Sequence, residues 1–123
     1  MNHEVQNQPP PLGDIDLFSS DRALREAVER EGAGWASSEL AGYGRELGSA
    51  GTLECGALAN AHPPVLHTHD RYGHRRDEVE FHPAWHNMMR LAVGHGVHSS
   101  PWANARQGAH VARAAAAMLA SEC

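Results

Sequence analysis

The apolar positions of the chain fall into short stripes at helical spacing, punctuated by glycine and proline. Leu24, Ala27 and Val28, with Glu31 closing the turn, predict a first helix; Ser20 or Asp21 can cap it. Gly32 and Gly34 should stop it as left-handed C-cap positions. A second helix starts near Ser37 or Ser38, carries Leu40, Tyr43, Gly44 and Leu47 on one side, and ends at Gly48. Within it Gly42 and Gly44 each cost about 1 kcal/mol relative to alanine, unless close packing needs their small size. A third runs from about Ser49 to Asn60, presents Leu53, Ala57 and Leu58, and closes at Pro63-Pro64. The fourth opens with His82 just before Pro83, the favoured first-turn position for proline. It lines one face with Trp85, Met88, Met89, Ala92 and Val93, and Gly94 and Gly96 terminate it. After a loop from Ser99 to Trp102, a last helix starts near Gly108 and runs through Val111, Ala112, Ala115 and Leu119. Its alanine run, Ala114 to Ala117, has high helix propensity and very little to pack. The chain is expected to end inside this helix, with no capping residue.

Two stretches lack that period. Pro9-Pro10-Pro11 forces an extended path and Gly13-Asp14 follows as a turn, so residues 1–18 form an arm. Either this is a disordered tail or, as Ile15, Leu17 and Phe18 suggest by their need for cover, an arm docked on its own domain or a neighbouring subunit. Between residues 63 and 81, Val65 to Thr68 and Glu78 to Phe81 read as two extended pieces joined around Asp70 to Gly73. The fold expected is mainly α. It comprises a small helical domain of about five helices over residues 19–123, an extended arm, and a short irregular or hairpin excursion near residues 63–81.

Composition narrows the function classes. The 123 residues and 13.3 kDa fit one small domain, and alanine and glycine make up much of the 41% apolar share. Large core side chains are thinly spread, which points to a piece of a larger body. The net charge of -5, with ten arginines dispersed among fifteen acids, argues against a nucleic-acid surface on this segment. Cys55 and Cys123 make no disulfide framework. The amino terminus has no charged region leading into an apolar run, and no apolar stretch approaches the ~18 residues of a membrane span. A cytoplasmic location is expected.

Ten histidines raise the possibility of a metal site. His67 and His69 point the same way on an extended segment, with Asp70 and His74 close by. His82 and His86 are four apart on a helix, the spacing of two helical zinc ligands, but Pro83, Ala84 and Trp85 intervene where HExxH needs its glutamate. Surface or capping histidines are the favoured reading. Ser99-Ser100 has no GxSxG context, and Cys55 reads as a small buried thiol in a helix interior. No strand–GxGxxG–helix unit exists to cradle a dinucleotide. Trp35, Trp85 and Trp102 are expected as core side chains rather than a stacking platform for bases or flavin. From the residues alone, no catalytic, cofactor-binding or metal-binding residue is assigned. Two alternatives stay open: a stand-alone helical adaptor pairing through Leu24, Val28, Leu40 and Leu47, and a small histidine-rich metalloprotein.

Asn7-Gln8-Pro9-Pro10-Pro11-Leu12, then Leu17-Phe18 and Ser20-Asp21, open a series of blocks with a family likeness. It continues in Arg30-Glu31-Gly32-Ala33-Gly34-Trp35, in Leu47-Gly48-Ser49-Ala50, and in Leu58-Ala59-Asn60 with Pro63-Pro64. Its most specific block is Val79-Glu80-Phe81-His82-Pro83-Ala84-Trp85-His86, and Gly108-Ala109-His110-Val111-Ala112-Arg113-Ala114-Ala115 follows. These resemble the start of the adaptive-response AidB-type acyl-CoA dehydrogenases, from about Asn7 to Ala115. The resemblance implies a full-length flavoprotein with FAD, whose cofactor, catalytic carboxylate and DNA-binding surface lie in later parts. Its partners would be the remainder of the parent flavoprotein or other subunits of a homo-oligomer, with no membrane and no nucleic-acid contact from this segment. The chain departs from the family at Ala116-Ala117-Met118-Leu119-Ala120-Ser121-Glu122-Cys123, so a segment incomplete at its C-terminus is expected. It would be structural, without FAD and inactive alone.

Overall fold

A computed structural model describes residues 4–122; Met1, Asn2 and His3 of the predicted arm, and Cys123, lie outside the described residues. Helix α1 (Arg22–Arg30) starts where Asp21 accepts the Leu24 N–H at 3.0 Å, and it buries Leu24 and Val28. Gly32, at φ 81°, ends it as expected. Gly34 does not repeat that role: it opens a 3-10 turn, Gly34–Ala36. The reason is that the helix end is already closed by the Ala33 N–H donating to Val28 O at 2.9 Å. Helix α2 (Ser37–Leu47) follows and buries the four predicted residues, Leu40, Tyr43, Gly44 and Leu47.

The small size of two glycines is what admits the arm. The Ile15 N–H donates to Gly48 O at 3.1 Å and the Leu17 N–H to Gly44 O at 3.3 Å, so residues 15–17 run directly along the end of α2. A Cβ on Gly44 would lie 2.7 Å from the Phe18 nitrogen and 2.8 Å from Asp16 Oδ1, and one on Gly48 would collide with the Ile15 carbonyl. Leu17 and Phe18 are thereby buried in the chain's own core.

Asp16 fastens this junction. Its Oδ1 accepts the N–H groups of Phe18 at 3.1 Å and Ser19 at 2.9 Å, while Oδ2 accepts the Ser19 hydroxyl at 2.7 Å and faces Arg45 at 3.2 Å. Partial burial pushes the carboxyl pKa up, but the Ser19 and Phe18 donors and the Arg45 charge outweigh it and hold it below the ordinary 3.8. A depressed carboxyl contributes stability above its unfolded value and loses it as pH falls through the folded value. Acid should therefore loosen the arm from near pH 3.8 downward. Thermal unfolding across that range should show a steeper loss for the native chain than for Asp16→Asn, and parallel slopes would refute the role.

Helix α3 (Ala50–Ala61), capped by Ser49, and helix α4 (Pro83–Gly94), capped by the His82 ring, pack side by side. Between them lies an antiparallel ribbon of β1 (Val65–His69) and β2 (Arg75–Glu80), pairing Val65 with Glu80, Leu66 with Val79 and His67 with Glu78. Phe81, expected in the second extended piece, falls just outside it. Asp70 shapes the turn by accepting from the Tyr72 and His74 N–H groups, and Gly73 takes φ 85°. Every ribbon residue is exposed.

The expected faces of α3 and α4 are corrected here. On α3 only Gly56 is buried, with Leu53 half-buried and Ala57 and Leu58 exposed. On α4, Ala84 is buried and Met88 and Leu91 turn to the core, whereas Met89 and Val93 stay exposed. Each of these helices meets the body along one narrow line, so half of each apolar stripe has no neighbour.

A single helical turn, α5 (Ser100–Ala103), stands where a loop was expected, with Pro101 buried. Helix α6 (Ala109–Ala120) begins after Gly108 at φ 80° and crosses the body against α1 and α2. Six α-helices stand among the described residues, in keeping with the mainly α fold of about five helices expected. Two readings of α6 are overturned. Ala115, Ala116 and Leu119 are core residues, so the alanines pack closely instead of lacking partners. The helix also ends before the chain does, at Ser121, whose hydroxyl donates to Met118 O at 2.6 Å. No described helix is long and apolar enough to cross a membrane.

Candidate functional site

An open cleft of about 970 Å³ lies between α2, α6 and the segment joining α4 to α6. Its floor is Leu40 and Tyr43 from α2 with Ala109, Ala112 and Ala116 from α6. Short alanine side chains on one wall are what leave the space open. At one end the Trp35 indole N–H donates to Gln107 O at 3.0 Å, and the Arg106 guanidinium lies 3.9 Å from the indole centre. At the other end the His95 ring stacks on Tyr43 at 4.1 Å and its Nε2 meets Glu46 Oε2 at 2.6 Å. Arg113 of α6 also lines the cleft, and its Nε donates to Val97 O at 2.8 Å.

None of Arg106, Arg113, His95 and Glu46 was singled out by the sequence. They come from four separate segments, and no local spacing links them. The tryptophans are a correction. Trp35 is 41% and Trp102 68% exposed, and only Trp85 is half-buried, so the expected core role fails for the first two. Trp35 is held at the surface by its bond to Gln107, and Trp102 rides on the one-turn α5 with His110 edge-on at 5.5 Å.

The histidines disperse. His67 pairs with Glu80 at 2.7 Å across the ribbon, His74 with Asp70 at 3.2 Å, and a bulge separates His67 from His69. His82 caps α4 and stacks on His62 at 4.6 Å, while His86 turns edge-on to Trp85 at 5.3 Å. Among the described residues no three histidine, cysteine or acidic side chains gather as a metal cage. Cys55, read as a buried thiol, is only half-buried, and its Sγ donates to Ala84 O at 3.4 Å. The adaptor alternative loses its surface: Leu24, Val28, Leu40 and Leu47 are 7%, 1%, 4% and 1% exposed, because they form the chain's own core.

Comparison with known proteins decides the lineage. Residues 7–123 match the family described as the adaptive response protein AidB N-terminal domain. The chain belongs to that family. An AidB relative, the putative acyl-CoA dehydrogenase AidB of Escherichia coli (strain K12), is 53% identical over 118 residues. That match covers 95% of this chain but 22% of the relative, so the chain spans about a fifth of the protein it matches. The fold also superposes on ACDH-11 of Caenorhabditis elegans, solved in complex with C11-CoA, with a TM-score of 0.79 at 17% identity. There too it covers 99% of this chain and 22% of the other. The chain is thus an AidB N-terminal domain, and it shares the fold of the matching part of ACDH-11.

Proposed function

We propose that this chain serves as the N-terminal structural part of an AidB-type, FAD-dependent acyl-CoA dehydrogenase. The arm (1–18) and the helical domain (19–123) would seat on the rest of that flavoprotein. The observation that carries this reading is the unpaired apolar surface of α3, the ribbon and α4. Leu58, Val65, Leu66, Val79, Met89 and Val93 are 41–59% exposed, and all fall on these consecutive elements, where a covering surface would bury them. Val5 and Leu12, 58% and 64% exposed on the arm, suit a contact between subunits. The chain carries no catalytic, flavin-binding or metal-binding residue of its own in this reading. It works in the cytoplasm, without contacting membrane or nucleic acid, and any part in the response to DNA alkylation belongs to the whole protein.

Flavin titration tests it. FAD added to the isolated chain should show no saturable spectral shift. A chimera in which this chain replaces the matching 118 residues of the E. coli relative should purify with flavin bound. Stoichiometric flavin on the isolated chain, or an insoluble chimera, would sink the proposal.

A further inference from the structure

We propose that the cleft between α2 and α6 is a binding site for a small amphipathic carboxylate, with its head group on Arg106 and Arg113 and its apolar body on the alanine floor. Three observations meet there. The space of about 970 Å³ has the size of a small-molecule cleft and a floor of Leu40, Ala109, Ala112 and Ala116. Arg106 sits over the Trp35 ring, its guanidinium carbon 3.9 Å from the ring centre, a cation–π contact that uses none of its N–H donors. Arg113 is fixed by its backbone bond to Val97, which spends one donor and leaves the terminal pair.

Among the described residues neither arginine takes a carboxylate partner; Arg25, Arg71 and Arg90 share that state, but only Arg106 and Arg113 line this cleft. Acids are at hand. Glu39 lines the same cleft without bridging to either arginine, and Glu46 is already held by His95. Two guanidiniums without a carboxylate partner, lining one cleft with Leu40, Ala109, Ala112 and Ala116, fit a planar oxyanion joined to a hydrocarbon body. The two acids on the α2 wall disfavour a polyanion. This site is independent of whether the parent enzyme is a flavoprotein.

Calorimetric titration with decanoate tests it, with decyl phosphate to separate carboxylate from phosphate and decyltrimethylammonium as the cationic control. Decanoate should bind one-to-one, more tightly than decyl phosphate, with no saturable signal from the cation. Arg106→Gln and Arg113→Gln should each weaken decanoate by roughly tenfold, the loss of one charge-assisted contact. Ala105→Leu, at the exposed cleft rim, should weaken it while leaving the helical circular dichroism unchanged. If the isolated chain does not hold its helical signal, the same titrations in the E. coli chimera decide the matter. Absence of saturable decanoate binding, equal binding of the cation, phosphate preference, or indifference to both arginine changes overturns the proposal. Binding to the isolated chain but not to the chimera overturns it too, since the remaining polypeptide then fills the cleft.

Discussion

Replacing Gly48 with valine should detach the arm from α2 and lower the unfolding free energy by about 3 kcal/mol or more, the scale of forced overpacking plus lost burial of large apolar side chains. Any Cβ at Gly48 collides with the Ile15 carbonyl, which is backbone and is itself held by the Ile15 N–H bond to Gly48 O at 3.1 Å. The neighbour cannot yield without breaking that bond. Once it breaks, Leu17 and Phe18, now 6% and 3% exposed, lose their seat. Against a typical total of about 5–15 kcal/mol, that is a large share of the stability. Urea unfolding of the two proteins measures it. Gly51→Ala is the matched control, because a Cβ there meets nothing within 4 Å. It should be neutral or stabilise α3 by up to about 1 kcal/mol. Equal midpoints for Gly48→Val and the native chain would show that the arm contributes nothing.

Leu119→Ala should cost about 2–5 kcal/mol, the usual range for emptying a fully buried leucine site. Leu119 is 0% exposed and packs within the cluster formed by α1, α2 and the arm. Its neighbours on α6 are alanines, which have no side-chain length with which to refill the hole. Met118→Ala, one residue earlier and 57% exposed, should move the same unfolding midpoint little. If the two substitutions proved equal, the burial of Leu119 would contribute nothing to stability.

These two sites also mark how far the sequence could be read. The α2 face was legible in full, since Leu40, Tyr43, Gly44 and Leu47 repeat at helical spacing and all four are buried. The condition attached to Gly44, that close packing would justify its cost, is met by the arm. The ends of α1, α3 and α4 were legible because Asp21, Ser49 and Pro83 act through local geometry. What failed needed partners remote in the chain. The alanine run of α6 looked idle because alanine carries no periodic signal strong enough to say which face is covered. Trp35 and Trp102 were assigned to the core by size, yet the first is tied to a backbone carbonyl 72 residues away. The cleft was invisible for the same reason: a concavity is made by side chains that stop short, and shortness leaves no motif.

The ribbon of Val65–His69 and Arg75–Glu80 contributes no buried residue to the body that carries it. Such an element is nearly uncoupled from the stability of its own domain, so selection for folding exerts little hold on its sequence. Whatever constraint it bears must come from outside the chain. Leu66 and Val79, which pair across the two strands, are therefore free to take whatever side chains a neighbouring surface asks of them.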